Sequence, residues 1–268
     1  SGFAPQEETL DKMCNDIKDI VRERFTGYKE DKEYNHLRMS NLGRGTRFLY
    51  YDLQVDTQQE ISPELKMKFL IGDILEQLMI FLIKESGHEV TMEQAEVELD
   101  GIKGHPDAVV DGIPLDIKTA STYAFNDKFV KGNLLNNPNS DGFGYVGQIS
   151  SYAETLGVNR GAFLAVDKQH GDWTVLLVDE MDMIDARAKI KEVREALEAD
   201  SPPDEKCFQP KEHKNGNLEL NNNCFWCKHK HACHADANDG TGIRTFKYSN
   251  KSVDLIHVEK EPTVPEVL

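Results

Sequence analysis

An α/β layer fold is what this 268-residue sequence predicts, on three observations. Segments of helical periodicity alternate along the chain with short runs rich in Val, Ile and Leu. Two pairs of those runs bracket hairpin signals, Asp111-Gly112 and His170-Gly171. Helix start and stop signals then sort the chain into helices, antiparallel strands, a helix, strands and a helix.

Over residues 8–26, Leu10, Met13, Cys14, Ile17, Ile20 and Val21 recur at helical spacing, which makes Cys14 a core residue. Ser62-Pro63 reads as an N-cap with proline at the first helical position, opening a helix that runs to about Lys84. Glu96 to Thr119 reads as strands. Residues 122–147 are rich in Asn and Gly, with one helical turn around Tyr123 to Val130. Gly147 to Leu156 reads as a helix, and Ala162 to Asp167 with Trp173 to Asp179 as a hairpin. A charged amphipathic helix over 180–199 stops at Ser201-Pro202-Pro203. A cysteine-rich stretch follows. The last residues, Ser249 to Leu268, with four acids to two lysines, read as a poorly ordered tail. The division expected is a core over 1–203, a cysteine-rich module over 204–236 and a tail over 237–268.

A hydrophobic content of 39% suffices for a sizeable core. A net charge of −16 counts against a basic nucleic-acid coat protein. It leaves room for an enzyme whose acids hold a cation. The densest apolar run, ILEQLMIFLI, is too short to span a bilayer and carries Glu76, so no membrane helix is expected. No secretory leader is legible. Five cysteines then suggest a reducing compartment, with thiols that are free or bind metal.

The chemistry concentrates in GHPDAVVDGIPLDIKTAS, residues 104–121. With Asp111-Gly112 as a two-residue turn, facing residues have numbers that sum to 223. Asp107 then lies opposite Asp116, and His105 opposite Lys118. One face holds Pro106, Ala108, Val110, Ile113, Leu115 and Ile117; the other gathers two acids, a lysine and a histidine. Two carboxylates about 5 Å apart repel by roughly 3 kcal/mol at an effective dielectric near 20. A divalent cation with oxygen ligands would offset that repulsion; charges turned to water on a solvated face are the alternative. Glu76 lies in a helix that is apolar almost all round, where an isolated carboxylate is costly. It would stay ionised beside a metal or at a helix edge that reaches water. Gln148 and Tyr152 share one helical face by their i, i+4 spacing. Farther on, Cys207, Cys224, Cys227 and Cys233 place four soft ligands within 27 residues, enough for a tetrahedral Zn2+ site or a four-iron cluster.

The order Gly72-x3-Glu76, Pro106-Asp107, Asp116-Ile117-Lys118, Gln148-x3-Tyr152 resembles the PD-(D/E)XK nuclease superfamily. Within it the chain is similar to the RecB-like branch, with its CRISPR-adaptation and phage exonucleases. The resemblance covers roughly residues 38–234. It implies a restriction-endonuclease-like core, a mixed central sheet flanked by helices, plus a C-terminal cysteine-rich metal module. It also implies a Mg2+- or Mn2+-dependent DNA nuclease, most readily an exonuclease in recombination, repair or genome degradation. The chain would then work in the cytoplasm of a bacterial or phage-infected cell.

By that resemblance Asp107 and Asp116 bind the metal with help from the Ile117 carbonyl, and Glu76 completes the shell. Lys118 orients or activates the attacking water, and Gln148 and Tyr152 position Lys118 or the DNA backbone. His105 is a weaker candidate. Cys224-x2-Cys227-x5-Cys233 is similar to the branch's iron–sulfur staple, whose first ligand lies upstream. Here Gly45-Thr46 stands in that segment, so Cys207, or less readily Cys14, becomes the fourth ligand of a [4Fe-4S] cluster. Structural Zn2+ is the alternative, with His231 and His234 as spare ligands.

The partner expected is DNA, at ends or as single strands, with no membrane; a protein partner or a homo-oligomer stays open. Lys206, Lys211, Lys214, Lys228 and Lys230, and separately Arg38, Arg44 and Arg47, are the candidate phosphate contacts. Residues 122–147 are expected to form a mobile DNA-facing loop presenting Phe125, Lys128 and Phe129. The competing readings are a catalytically inert DNA- or partner-binding module on the same fold, and a zinc-dependent adaptor.

Overall fold

The computed structural model of the chain describes residues 4–26, 36–54, 62–137 and 139–267. In chain order the first elements are α1 (Glu7–Thr26), α2 (Met39–Leu42), α3 (Thr46–Gln54) and α4 (Pro63–Glu85). Strands β1 (Val90–Thr91), β2 (Val97–Leu99), β3 (Ile102–Gly104), β4 (Ala108–Val110) and β5 (Ile113–Ala120) follow. Next come α5 (Thr122–Ala124), which runs into a π-helical turn Phe125–Val130, then α6 (Asn133–Asn136) and α7 (Tyr145–Leu156). The chain continues through β6 (Arg160–Asp167), β7 (Trp173–Asp179) and α8 (Ala186–Glu198). The described residues fall into two compact units, one within 1–43 and 56–191 and the other within 44–55 and 192–268.

The first unit is built on a five-stranded sheet of order β1-β4-β5-β6-β7. It is mixed: β5 and β6 are parallel and the other neighbours antiparallel. The crossover between β5 and β6 carries α7, as a parallel pair requires. Alternate residues of the central strands serve two separate cores. Leu115, Ile117, Ala162, Leu164 and Val166 pack with Met79 and Ile80 of α4. Ala120, Phe163 and Ala165 pack with Ile149 and Tyr152 of α7 and with Met39 and Leu42 of α2. This mixed sheet with helices on both faces fits a restriction-endonuclease-like core.

Local chemistry sets the elements that matter for the site. Ser62 caps α4 by accepting from the Leu65 N–H, with Pro63 at the first turn, as its sequence predicts. The hairpin pairs Ala108 with Leu115, Val109 with Pro114 and Val110 with Ile113, the expected register. Its turn residues Asp111 and Gly112 have φ of 50° and 79°, the left-handed pair that a type I′ turn demands. Asp141 starts α7 by accepting from the N–H groups of Tyr145 and Val146 at 2.8 and 2.9 Å.

The second unit holds a sheet of order β12-β10-β11-β9-β8. Its strands are β8 (Lys211–Glu212), β9 (Leu218–Glu219), β10 (Arg244–Lys247), β11 (Ser252–His257) and β12 (Glu266–Val267). The short helices α9 (Asn222–Phe225) and α10 (Lys230–Cys233) carry the cysteine segment. The expected tail is therefore not a tail. Val253 and Leu255 pack with Phe246, and Arg244 ties in Glu261 and Glu266. Three of the acids that suggested disorder, Asp254, Glu261 and Glu266, are engaged in ion pairs with Lys230 and Arg244. Nor does the unit begin at residue 204, since residues 44–55 and the end of α8 belong to it. Cys14, expected in the core, is exposed.

Candidate active site

The opposed acids of the hairpin are brought together. Asp116 is the most buried of them, 1% exposed, and Lys118 Nζ lies 2.6 Å from its Oδ2. That contact is an ion pair at an angle that leaves Oδ2 without a well-directed hydrogen bond. Asp107, just before β4, accepts the Ile117 N–H through Oδ2 at 2.6 Å. Glu76 reaches the same cluster from α4. The link between Glu76 and Asp107 is Gln94, whose Nε2 lies 2.7 Å from Glu76 Oε1 and 3.2 Å from Asp107 Oδ1.

On the other side, Lys118 Nζ donates to Gln148 Oε1 at 3.4 Å, and Gln148 Nε2 donates to the Tyr152 hydroxyl at 3.1 Å. The Tyr152 hydroxyl donates in turn to the backbone carbonyl of His105 at 3.0 Å. The ring of Tyr145, one turn before Gln148 on α7, lies 4.8 Å from the Lys118 ammonium. His105 contributes that carbonyl, while its side chain is half exposed and near Glu96. Gly72 comes close to β5 as well, since a Cβ there would meet Thr119 Oγ1 at 3.8 Å.

The electrostatics follow from this crowding. Burial first, then repulsion from Asp73 and Asp116, pushes Glu76 up to about 7. Burial and the charges of Asp116 and Glu76 raise Asp107 well above the usual carboxylate range. Burial also raises Asp116, against the pull of Lys118. Burial works against the Lys118 ammonium, but Asp116 and Asp107 outweigh it and hold its pKa above the ordinary value. Lys118 is therefore protonated at neutral pH and acts as a donor.

The oxygen donors and the buried Asp116 oxygen without a hydrogen bond fit a hard divalent cation in kind. Among the described residues no three His, Cys, Asp or Glu side chains are grouped to hold an ion as they stand. The Gln94 amide, the Ile117 N–H and the Lys118 ammonium stand against these carboxylates. Ile117 meets the cluster through its N–H, which holds Asp107 in place.

Among the described residues the cysteines are not grouped as a metal site either. The thiols are nonetheless neighbours. Cys224 is pushed up to about 12 by burial and then by Cys227, Cys207 and Cys233. A Cβ at Gly45 would meet the Cys207 sulfur at 2.4 Å, so that thiol fills the space a side chain at 45 would take. Arg47 braces the group, donating to Cys233 Sγ at 3.2 Å and to the Cys233 carbonyl at 3.1 Å. His234 is buried, and burial followed by the charge of Lys206 lowers it to about 4.

The candidate basic patches are largely occupied. Arg47 is buried; Lys228 pairs with Asp52, Lys230 with Asp254, and Lys206 with Asp236. The expected DNA-facing loop is also revised. Phe125 and Phe129, 5% and 4% exposed, belong to the α7-side core, and Lys128 lies over the rings of Phe143 and Tyr145.

Gln94 and Tyr145 were missed in the sequence. Tyr145 was findable, since it precedes Gln148 by three residues on the same helical face. Gln94 sits between β1 and β2, where no period singles it out.

No protein-family model and no curated protein matches the chain. Several solved structures are similar to it. SSO0001 matches 82% of this chain and 93% of its own at 17% identity and a TM-score of 0.45. LHK-Exo in complex with dAMP, an alkaline exonuclease from Laribacter hongkongensis, matches 60% and 84% at 19% identity and a TM-score of 0.42. A phage related exonuclease from Haemophilus somnus 129PT matches 68% and 87% at 15% identity and a TM-score of 0.36. At these TM-scores neither activity nor substrate follows from the likeness.

Proposed function

We propose that this chain is a Mg2+- or Mn2+-dependent deoxyribonuclease of the PD-(D/E)XK type, hydrolysing phosphodiester bonds as an exonuclease in recombination, repair or genome degradation. The observation that carries the reading is the convergence of Asp107, Asp116 and Glu76 beside the protonated Lys118. Such a cluster is unfavourable for a fold to maintain without a use for it.

Asp107, Asp116 and Glu76 would hold the ion. When bound, it would acidify a water and neutralise charge on the phosphate. Lys118 would donate to a phosphate oxygen or orient the attacking water, since as an ammonium it has no lone pair to accept a proton. Gln148 fixes the Lys118 ammonium, Tyr145 faces it with a ring, and Tyr152 fixes Gln148. Cys207, Cys224, Cys227 and Cys233 would hold a structural [4Fe-4S] cluster, or Zn2+ in its place, tying the second unit together. A visible absorbance band with stoichiometric iron, lost in Cys224→Ser, is expected; zinc without colour would select the alternative.

The test of function is digestion of end-labelled single- and double-stranded DNA, linear and circular, with Mg2+ and Mn2+. Asp107→Ala and Lys118→Ala are expected to lower cleavage by about a hundred- to thousandfold. Metal-loaded wild-type protein that degrades no form of DNA would refute the reading. Retention of DNA without turnover would point to the inert binding module.

A further inference from the structure

The neutral side chain of Gln94 touches two of the three acids. Its amide nitrogen donates to Glu76 Oε1 and to Asp107 Oδ1. An amide nitrogen carries two hydrogens, enough for both bonds, and carboxylates ionised beside a cation only accept, so the amide would face them nitrogen first. The backbone is committed to the same contact: the Gln94 N–H donates to the Asp107 carbonyl at 3.3 Å. Gln94 holds a left-handed φ of 49°, as does its neighbour Met92 at 52°, a conformation that is unfavourable for such side chains. The loop is anchored from outside by Glu93, which pairs with Lys84 of α4 at 2.6 Å and Lys12 of α1 at 3.0 Å.

We infer that Gln94 is a positioning residue for the divalent cation. It fixes the Glu76 and Asp107 carboxylates relative to each other by engaging one oxygen of each. With Asp107 Oδ2 taken by the Ile117 N–H, Glu76 Oε2 is the oxygen of that pair left to face the ion. Neighbours that hydrogen-bond metal ligands orient them and raise affinity, and their removal typically costs ten- to a hundredfold in binding. The inference rests on the nuclease reading, and concerns which residue sets the cation affinity of that site.

The test is Mn2+ binding to the purified full chain by titration calorimetry, in the absence of DNA. Wild type is compared with Gln94→Met, which keeps the bulk and deletes both donors, with Gln94→Ala and with Asp107→Ala. Gln94 is exposed, and circular dichroism checks that each variant is folded. The expected result is Mn2+ binding about tenfold or more weaker in both Gln94 variants. A Gln94 variant that is folded and binds Mn2+ as tightly as wild type overturns the inference and leaves the nuclease reading standing. Wild-type protein that binds no Mn2+, or binds it no better than Asp107→Ala, overturns both.

Discussion

Glu76 ionises reluctantly, at about 7 against an ordinary 4.5, because burial and neighbouring acids disfavour its charge. Between those two pH values the folded chain holds a proton that the unfolded chain has released, so stability falls as pH rises from about 4.5 to about 7. Asp107 is shifted in the same direction and adds to the slope. Urea midpoints measured across that window in chelator should fall with pH in wild type and fall less in Glu76→Gln; parallel curves would count against the charge balance described above. Gly45 makes a second test at this scale. A methyl group there would press on the sulfur and Cβ of Cys207 at 2.4 and 2.7 Å. Gly45→Ala is expected to cost about 1–3 kcal/mol and lower the thermal midpoint, and an unchanged midpoint would place Cys207 elsewhere. Asp107, Asp116 and Lys118 were legible as a set because one turn with known backbone demands fixes their pairing. Gln94 was not, since a residue in an irregular loop declares its partner only through tertiary contact.

Helix α7 shows what elements add to residues. Its Gly147 packs against Gly43, at the C-terminal end of α2, so closely that a Cβ would lie 2.2 Å from the Gly43 Cα. Both atoms at risk are backbone, so Gly147→Ala should push the two helices apart at a cost of about 1–3 kcal/mol. Gln148 is the next residue, and the displacement should reach Lys118. The variant is therefore expected to lose both melting temperature and DNA cleavage, whereas a loss of stability alone would separate the helix contact from the site. The long helices and the two hairpins could be read from periodicity and caps. The segment carrying Phe125 and Phe129 is helical as expected, but its burial could not be read: a π-helical turn follows neither the strand period nor the α-helical one, and its two rings reach the core regardless. Strands β10 to β12 were hidden for another reason. Buried Asp254 is satisfied by Lys230 at 2.7 Å and Thr245 at 2.7 Å, partners that local sequence does not announce.

Across the whole molecule the net charge of −16 opposes any approach to DNA, and many lysines are already paired. On the proposed nuclease reading, neutralisation would then come largely from the divalent ion. DNA retention on a filter is expected to be low in chelator and to rise with Ca2+, which has oxygen ligand preferences like those of Mg2+; equal retention in both would show that the protein's own cations suffice. No helix among the described residues is long and apolar enough to cross a membrane. The type I′ turn at Asp111-Gly112 has one more implication. β5 is locked to β6 over Leu115 to Ala120 independently of that turn, so the phase of Asp116 and Lys118 is kept by one ladder and that of Asp107 by another. A slip of β4 by a single residue against β5 would leave the lysine where it is and rotate Asp107 to the opposite side of the sheet. The tight corner, outwardly dispensable, is what makes that slip hard and so keeps the two halves of the device in step.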